Sequence, residues 1–367
     1  MKIALITIHN ANNYGAILQT FATQEVLKRY GNVTILNYKK KHIARGLDSP
    51  IRFEWSWHGL LMTGKDIIRI LPRYRALKKI KRFIMLYIKT TSVLSDFDIQ
   101  KGKADGYAIY IAGSDQIWNP ACVAEDYQID PIYFLNFVPK GCKKISYASS
   151  MGDYYFSNKD MEKISNFLSD FNFLSVREKN RGELLSKLLQ RRVEHVLDPT
   201  LLLKKEDWMN LVKTKKYSNK ELGEYFLIYS VSKDALLKKA INFLSKRRKM
   251  KIISIDQGIK VGIKVDKQFR DSGIEDFLEL FYNAEFIVTD SFHGVCFSLN
   301  FNKPFVAVSS RENCRIKSLL EIIEMKNRLV TSEEELNEDL LRFNLDPLII
   351  EELRDKSFNF IDNALRT

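Results

Sequence analysis

The feature that most constrains this chain is a series of short, largely apolar runs. Each is too brief for a helix, and each ends in polar residues. Ile3–Ile8, Val33–Leu36, Tyr107–Ala112, Ile145–Ala148, Phe173–Val176 and Val193–Leu197 form the first set. A strand wetted on one face alternates apolar and polar residues, whereas one covered on both faces stays apolar throughout. Helical spacing fills several of the gaps. The stretch Tyr14–Arg29 puts Ile17, Leu18, Phe21 and Ala22 on one stripe. Strand and helix in alternation close into a mainly parallel sheet with right-handed crossovers.

The rhythm restarts after Pro199. Strands are expected over Tyr225–Val231, Lys251–Ile255, Phe286–Val288 and Pro304–Val308, with helices between them. Ser272, Gly273, Ile274 and Glu275 read as a capping box for a helix whose inner face holds Ile274, Phe277, Leu278 and Phe281. The 367 residues suffice for two such units. The expected class is therefore α/β, with two Rossmann-like domains facing a cleft. The boundary falls near 199–222, where Lys, Ser and Asn dominate. This gives an N-terminal domain of 1–200, with a basic helical insert at about 60–95, and a C-terminal domain of 201–367 ending in helices.

Net charge is +13, which favours anionic partners without choosing among them. Lys and Arg are scattered and no nucleic-acid-binding signature is present, so nucleic acid is not an expected partner. Cys122, Cys142, Cys296 and Cys314 form no CxxC pair, which points to a reducing compartment and to neither a disulfide framework nor a metal site. The start MKIALITIHN lacks a signal-peptide pattern, and no apolar stretch reaches the roughly 18 residues of a membrane span. A cytoplasmic protein is expected. Residues 65–90, basic, amphipathic and interrupted by Pro72, read either as a solvated helix pair or as a peripheral contact with anionic lipid at the inner face of the membrane.

In open α/β sheets, ligands gather beyond the carboxyl ends of the strands. The first strand is followed by His9, Asn10, Ala11, Asn12, Asn13, Tyr14 and Gly15, a loop that opens a helix. Asn10, Asn13 and Tyr14 are candidate ligand contacts, with Asn13 equally readable as an N-cap. After Ile111 come Gly113, Ser114, Asp115, Gln116, Ile117, Trp118 and Asn119. Asp115 suits a sugar hydroxyl or a base role, Trp118 a stacked sugar ring, and Ser114, Gln116 and Asn119 polar contacts. Ser149 follows another strand, and Arg177 follows the next, where its fork fits a carboxylate or phosphate. Asp198 reads as a structural turn. The densest cluster is VTDSFHGVCFS: Asp290, Ser291 and His293 at a strand end, with Gly294 opening a helix. Arg311, Asn313 and Arg315 add positive charge toward the same edge.

Taken together, HNANNYGAILQ, GSDQIWN, ISYASSMG, SVREK, VLDPTLLL and TDSFHGVCFSLNFNKPF resemble the polysaccharide pyruvyl transferase family, over about residues 1–325. The resemblance implies a GT-B-like fold with acceptor side first and donor side second. It implies transfer of the pyruvyl group of phosphoenolpyruvate onto a sugar, as a cyclic ketal with phosphate released, in building a bacterial exopolysaccharide or capsule. The acceptor is then a lipid-linked or oligosaccharide precursor, and no cofactor is required. The family's histidine maps onto His293 and its arginine onto Arg177, both on the donor. Several members carry Arg two positions before the histidine, where this chain has Ser291, so that donor contact is expected either to be lost or to be supplied by Arg315 or Lys303. His293 and Asp115 are the expected catalytic groups, with Asp290 orienting His293. Rival readings are a GT-B glycosyltransferase using a nucleotide sugar and a non-catalytic glycan- or phosphate-binding protein.

Overall fold

A computed structural model of the chain describes residues 1–49, 70–258 and 262–366. Strands and the longer helices are numbered below in chain order. The chain divides into two compact units. One comprises Met1–Gly46, Ile84–Leu202 and Pro347–Thr367; the other comprises Leu47–Phe83 and Leu203–Asp346.

The first unit is built on a parallel sheet in the order β3-β2-β1-β4-β5. Its strands are β1 (Lys2–Ile6), β2 (Asn32–Tyr38), β3 (Thr90–Leu94), β4 (Ile109–Ala112) and β5 (Lys143–Ser146). A short parallel pair, β6 (Ser175–Val176) and β7 (Glu194–His195), continues the sheet through bridges Ile145–Phe173 and Ser149–Val176. Central β1 pairs Ala4 with Thr34 on one side and with Tyr110 on the other. Covered on both faces, β1 and β4 need no alternation, which is why their sequences are continuously apolar. Helices α1 (Tyr14–Leu27), α2 (Lys41–Asp48), α4 (Asn158–Leu168) and α5 (Lys179–Leu189) follow their strands. The edge strand β3 escapes sequence reading because its residues are half exposed and mostly hydroxyl-bearing.

The second unit repeats the plan in the order β10-β9-β8-β11-β12-β13, again all parallel. Its strands are β8 (Tyr225–Tyr229), β9 (Lys251–Ile255), β10 (Lys267–Phe269), β11 (Phe286–Thr289), β12 (Phe305–Val308) and β13 (Leu329–Val330). Helices α6 (Ala235–Arg247), α7 (Ile274–Asn283), α8 (Phe292–Asn300) and α9 (Cys314–Ile322) cover it. Phe277 and Phe281 of α7, Phe297 of α8 and Tyr229 of β8 meet edge-on or tilted, with centroids 4.4–6.2 Å apart. Each such pair adds about 0.5–1.5 kcal/mol beyond its area burial. The cap of α7 is one residue later than the sequence suggests. Gly273 is the N-cap, and the Asp276 carboxylate returns to its backbone N–H.

Two parts of the expected domain division are corrected. The C-terminal helix α10 (Pro347–Arg366) belongs to the first unit, not the second. There Ser357 Oγ accepts from Leu197 N at 3.0 Å, Arg354 Nε donates to Leu201 O at 2.6 Å, and Phe360 lies against Tyr147 and Phe173. The basic insert begins in the second unit. Helix α3 (Ile70–Tyr87) runs through Pro72 without a break, and Pro72 stands in its first described turn. Its Lys79 donates to Asp276 at 2.8 Å. Residues 60–69 of the expected insert lie outside the described residues. Among the described residues, no helix is long and apolar enough to cross a membrane.

Candidate active site

Crossovers in a parallel sheet change side at one point, and ligands collect beyond the carboxyl ends of the strands flanking it. That point lies between β1 and β4 in the first unit and between β8 and β11 in the second.

At the first edge Asp115 is the pivot. Its φ of +74° is left-handed, a conformation that costs a residue with a side chain free energy, though Asp bears it better than most. Its Oδ1 accepts from Gln116 N at 2.9 Å and from Arg177 Nη2 at 3.2 Å. Arg177, directly after β6, also donates Nη1 to Asp198 Oδ2 at 2.7 Å and places Nε 3.5 Å from Glu178. Ser114 Oγ donates to Asp198 at 2.9 Å, Thr200 N and Oγ1 donate to its other oxygen, and Ser150 donates a short bond to Glu178. Burial alone would weaken the guanidinium's hold on its proton. The three carboxylates reverse that and raise its pKa above the ordinary arginine value. The Asp115 side chain is 12% exposed, against at most 1% for Arg177, Glu178 and Asp198. Asp115 is thus the member of this network that a ligand can reach.

Several expected ligand contacts at this edge are structural instead. Trp118 is in the core, its indole N–H donating to Tyr133 O at 3.0 Å and its ring stacked on Phe134, so no face is presented to a sugar. Ser149 Oγ turns back onto Ala112 O and Gly113 O. Asn119 caps a short helix through Ala121 N, and Asn13 caps α1 through Ala16 N. Asn10 Nδ2 donates to Tyr38 O, and Tyr14 and Ser114 are buried. Gln116 accepts from Asn119 Nδ2 at 2.9 Å. Both amides close over Gly152, where a Cβ would stand 2.2 Å from Gln116 Oε1. Arg177 itself is not an open clamp, because its donors already meet carboxylates.

At the second edge Asp290 does not orient His293. Its carboxylate is taken up by the loop after β8: Ser230 Oγ (2.6 Å), Val231 N (2.6 Å), Ser232 Oγ (2.8 Å) and Asp234 N (3.2 Å). With these four donors it braces the crossover point. Ser291 caps α8 and accepts from Gly294 N at 3.4 Å. Gly294 is required by contact, because a Cβ there would stand 2.2 Å from Thr289 Oγ1. His293 sits in the first turn of α8, 6% exposed. Arg315 lies in the first turn of α9 at the same edge, with Nε buried and hydrogen-bonded to no described residue. Lys303 follows the far end of α8, roughly a helix length (~1.5 Å per residue) from His293. There it lies over the Tyr282 ring, and burial lowers its pKa. It is excluded from the His293 edge.

Sequence reading passed over Glu178 and Arg270, and took Asp198 for a turn. The signal for the two acids was present, since Glu178 comes two residues after β6 and Asp198 three residues after β7, at the same edge as Arg177.

The fold is of the GT-B type. The chain is similar to UDP-GlcNAc 2-epimerase from Neisseria meningitidis bound to UDP-GlcNAc, with a TM-score of 0.59 at 8% identity over 99% of this chain and 100% of that one. It is similar to the S. aureus MnaA-UDP co-structure, with a TM-score of 0.54 at 11% identity over 100% and 97% of the two chains. UDP-N-acetylglucosamine 2-epimerase from Rickettsia bellii gives 0.53 at 10% identity over 100% and 97%. At such identities the likeness concerns the fold alone. No curated protein matches the sequence. The model of one family does match, from residue 13 to residue 312, through both edges described above. This chain belongs to the polysaccharide pyruvyl transferase family.

Proposed function

We propose that the protein transfers the pyruvyl group of phosphoenolpyruvate onto a sugar of a bacterial surface polysaccharide precursor, as a cyclic ketal. Family membership supplies the transferase class and the sugar acceptor. The observation that carries the finer reading is the chemistry of the second edge. An imidazole and a guanidinium stand in the first turns of α8 and α9, while the acid beside them, Asp290, is bonded to the loop after β8. Helix N-termini favour anions, and phosphoenolpyruvate offers both a carboxylate and a phosphate.

In this reading His293 protonates the methylene carbon of the donor, and the neighbouring carbon becomes electrophilic. A sugar hydroxyl adds to that carbon and gives its proton to a base. The bond to the phosphate oxygen breaks, and phosphate departs against Arg315 and the helix N–H groups. A second hydroxyl then adds to the same carbon and loses its proton, closing the ketal. Asp115 is the base for the acceptor, with Arg177 as the positioning residue that holds it. The half-exposed face of α3, where Leu71, Tyr74, Met85 and Leu86 stand among Arg75, Lys78, Lys81 and Arg82, suits a lipid-linked acceptor at an anionic surface.

The test is incubation with phosphoenolpyruvate and candidate oligosaccharides or glycolipids, following phosphate release and product mass. A gain of one pyruvate less one water supports the reading. Transfer from a nucleotide sugar, with no reaction of phosphoenolpyruvate, would replace it.

A further inference from the structure

The loop after β10 holds an arginine that no role above uses. Arg270 follows Phe269, the last residue of β10, and so leaves the sheet at the same edge as Asp290 and His293. Its Nε and Nη2 are buried and hydrogen-bond to no described residue. The acids nearest in sequence serve other groups. Asp276 accepts from Lys79 Nζ and Gly273 N, each at 2.8 Å, and from Tyr217 OH at 3.2 Å, while Asp271 lies 4.0 Å from Lys79 Nζ. Arg270 as a whole is half-buried, but two buried N–H donors without an acceptor among the described residues cost free energy that an anion placed there would recover.

The loop that carries Arg270 and the helix turn that carries His293 open at the same edge of the sheet. Helix α7 begins at Ile274 just after Arg270, and α8 carries His293 in its first turn. Phe277 of α7 meets Phe297 of α8 edge-on at 5.4 Å, so the two helices lie against one another. Both follow carboxyl ends of parallel strands, and both therefore start at this edge with their N–H groups toward it.

We propose that Arg270 is an anion-holding residue, binding one phosphate or carboxylate group of a small ligand seated at the N-termini of α7 and α8. The ligand's identity rests on the donor reading above; the site does not. Calorimetric titration of phosphoenolpyruvate, inorganic phosphate and pyruvate into the full chain and into Arg270→Gln and Arg270→Lys tests it, together with the ligand-free Tm of each. In Arg270→Gln, phosphoenolpyruvate binding should weaken roughly 10- to 100-fold, the span of a charge-assisted hydrogen-bonded contact. Either the phosphate or the pyruvate arm should weaken with it, identifying the group held, and Arg270→Lys should fall between. The ligand-free Tm should be unchanged or slightly higher in Arg270→Gln, because two buried donors without an acceptor have gone.

Unchanged binding of all three ligands in Arg270→Gln overturns the proposal. So does a lowered ligand-free Tm, which would mark a structural arginine, and so does failure of the natural sequence to bind any of the three. Phosphate held through Arg270 without phosphoenolpyruvate binding keeps the site and removes the donor reading. Phosphoenolpyruvate bound equally by both proteins keeps the donor reading and removes Arg270.

Discussion

The two units share one plan and use their arginines in opposite ways. At the first carboxyl edge Arg177 is consumed by Asp115, Glu178 and Asp198, with Ser114, Ser150 and Thr200 closing the network. At the second, the carboxylate is withdrawn instead. Asp290 is bonded into the loop after β8, and Arg270 and Arg315 keep buried donors that meet no acceptor among the described residues. The first edge places a carboxylate with precision, whereas the second leaves cations open to an anion. The same strand order around the crossover point thus yields two chemistries, decided by which side chains at the strand ends neutralise each other.

The largest break in this contrast is Arg177→Met. Removing one partner from a buried ion network leaves uncompensated carboxylates and typically costs about 3–5 kcal/mol. Denaturant unfolding followed by circular dichroism should show that loss, and Arg177→Lys should recover only part of it, since a point charge cannot serve three carboxylates. If Arg315→Met were as destabilising as Arg177→Met, the two edges would not differ as described.

Acid sharpens the contrast from the first unit's side. His195 Nε2 lies 3.2 Å from Arg177 O, and burial, with Lys356 and Lys179 nearby, brings its pKa down to about 4. Burial also lowers the pKa of His9. With the folded value of His195 below the usual one, the unfolded chain takes up the proton first. Its contribution is fully present above about pH 6.5 and is lost as pH falls toward 4, to a limit of about 3 kcal/mol. Unfolding free energy measured from pH 7.5 to 4.5 should fall more steeply for the natural sequence than for His195→Gln. Parallel curves would remove His195 as the source.

For the second unit, His293→Ala should lower turnover of phosphoenolpyruvate by about 100-fold, with far less loss of stability than Arg177→Met. Near-normal turnover would take the imidazole out of the chemistry.

Strand runs such as Ile3–Ile6 and Phe286–Thr289 were legible because coverage on both faces leaves one pattern only. The loops carrying His293 and Asp115 were legible because polar residues abruptly follow such runs. What the sequence hid is how side chains divide partners. Trp118 and Ser149 look as available as Asp115 in one dimension, and only packing turns them inward. Likewise Asp290 stands beside His293 in the chain, but the crossover point delivers four donors to it from the loop after β8. Strand β10 is three residues long and mostly polar, so Arg270 had no apolar run to announce it.

The smallest effect separates ligand-binding charge from structural charge most cleanly. Arg315 is in the first turn of α9, where its cation opposes the helix dipole. A residue kept there for stability is therefore a poor choice, whereas one kept for an anion is a good one. Arg315→Gln should leave the unfolding midpoint unchanged or slightly raised, yet weaken phosphoenolpyruvate binding by roughly 10-fold, the scale of one charge-assisted contact. Added salt should narrow that difference, because part of the attraction acts across partly solvated space and is screened. Equal affinities at low salt would leave His293 and the helix N-termini to hold the donor without Arg315.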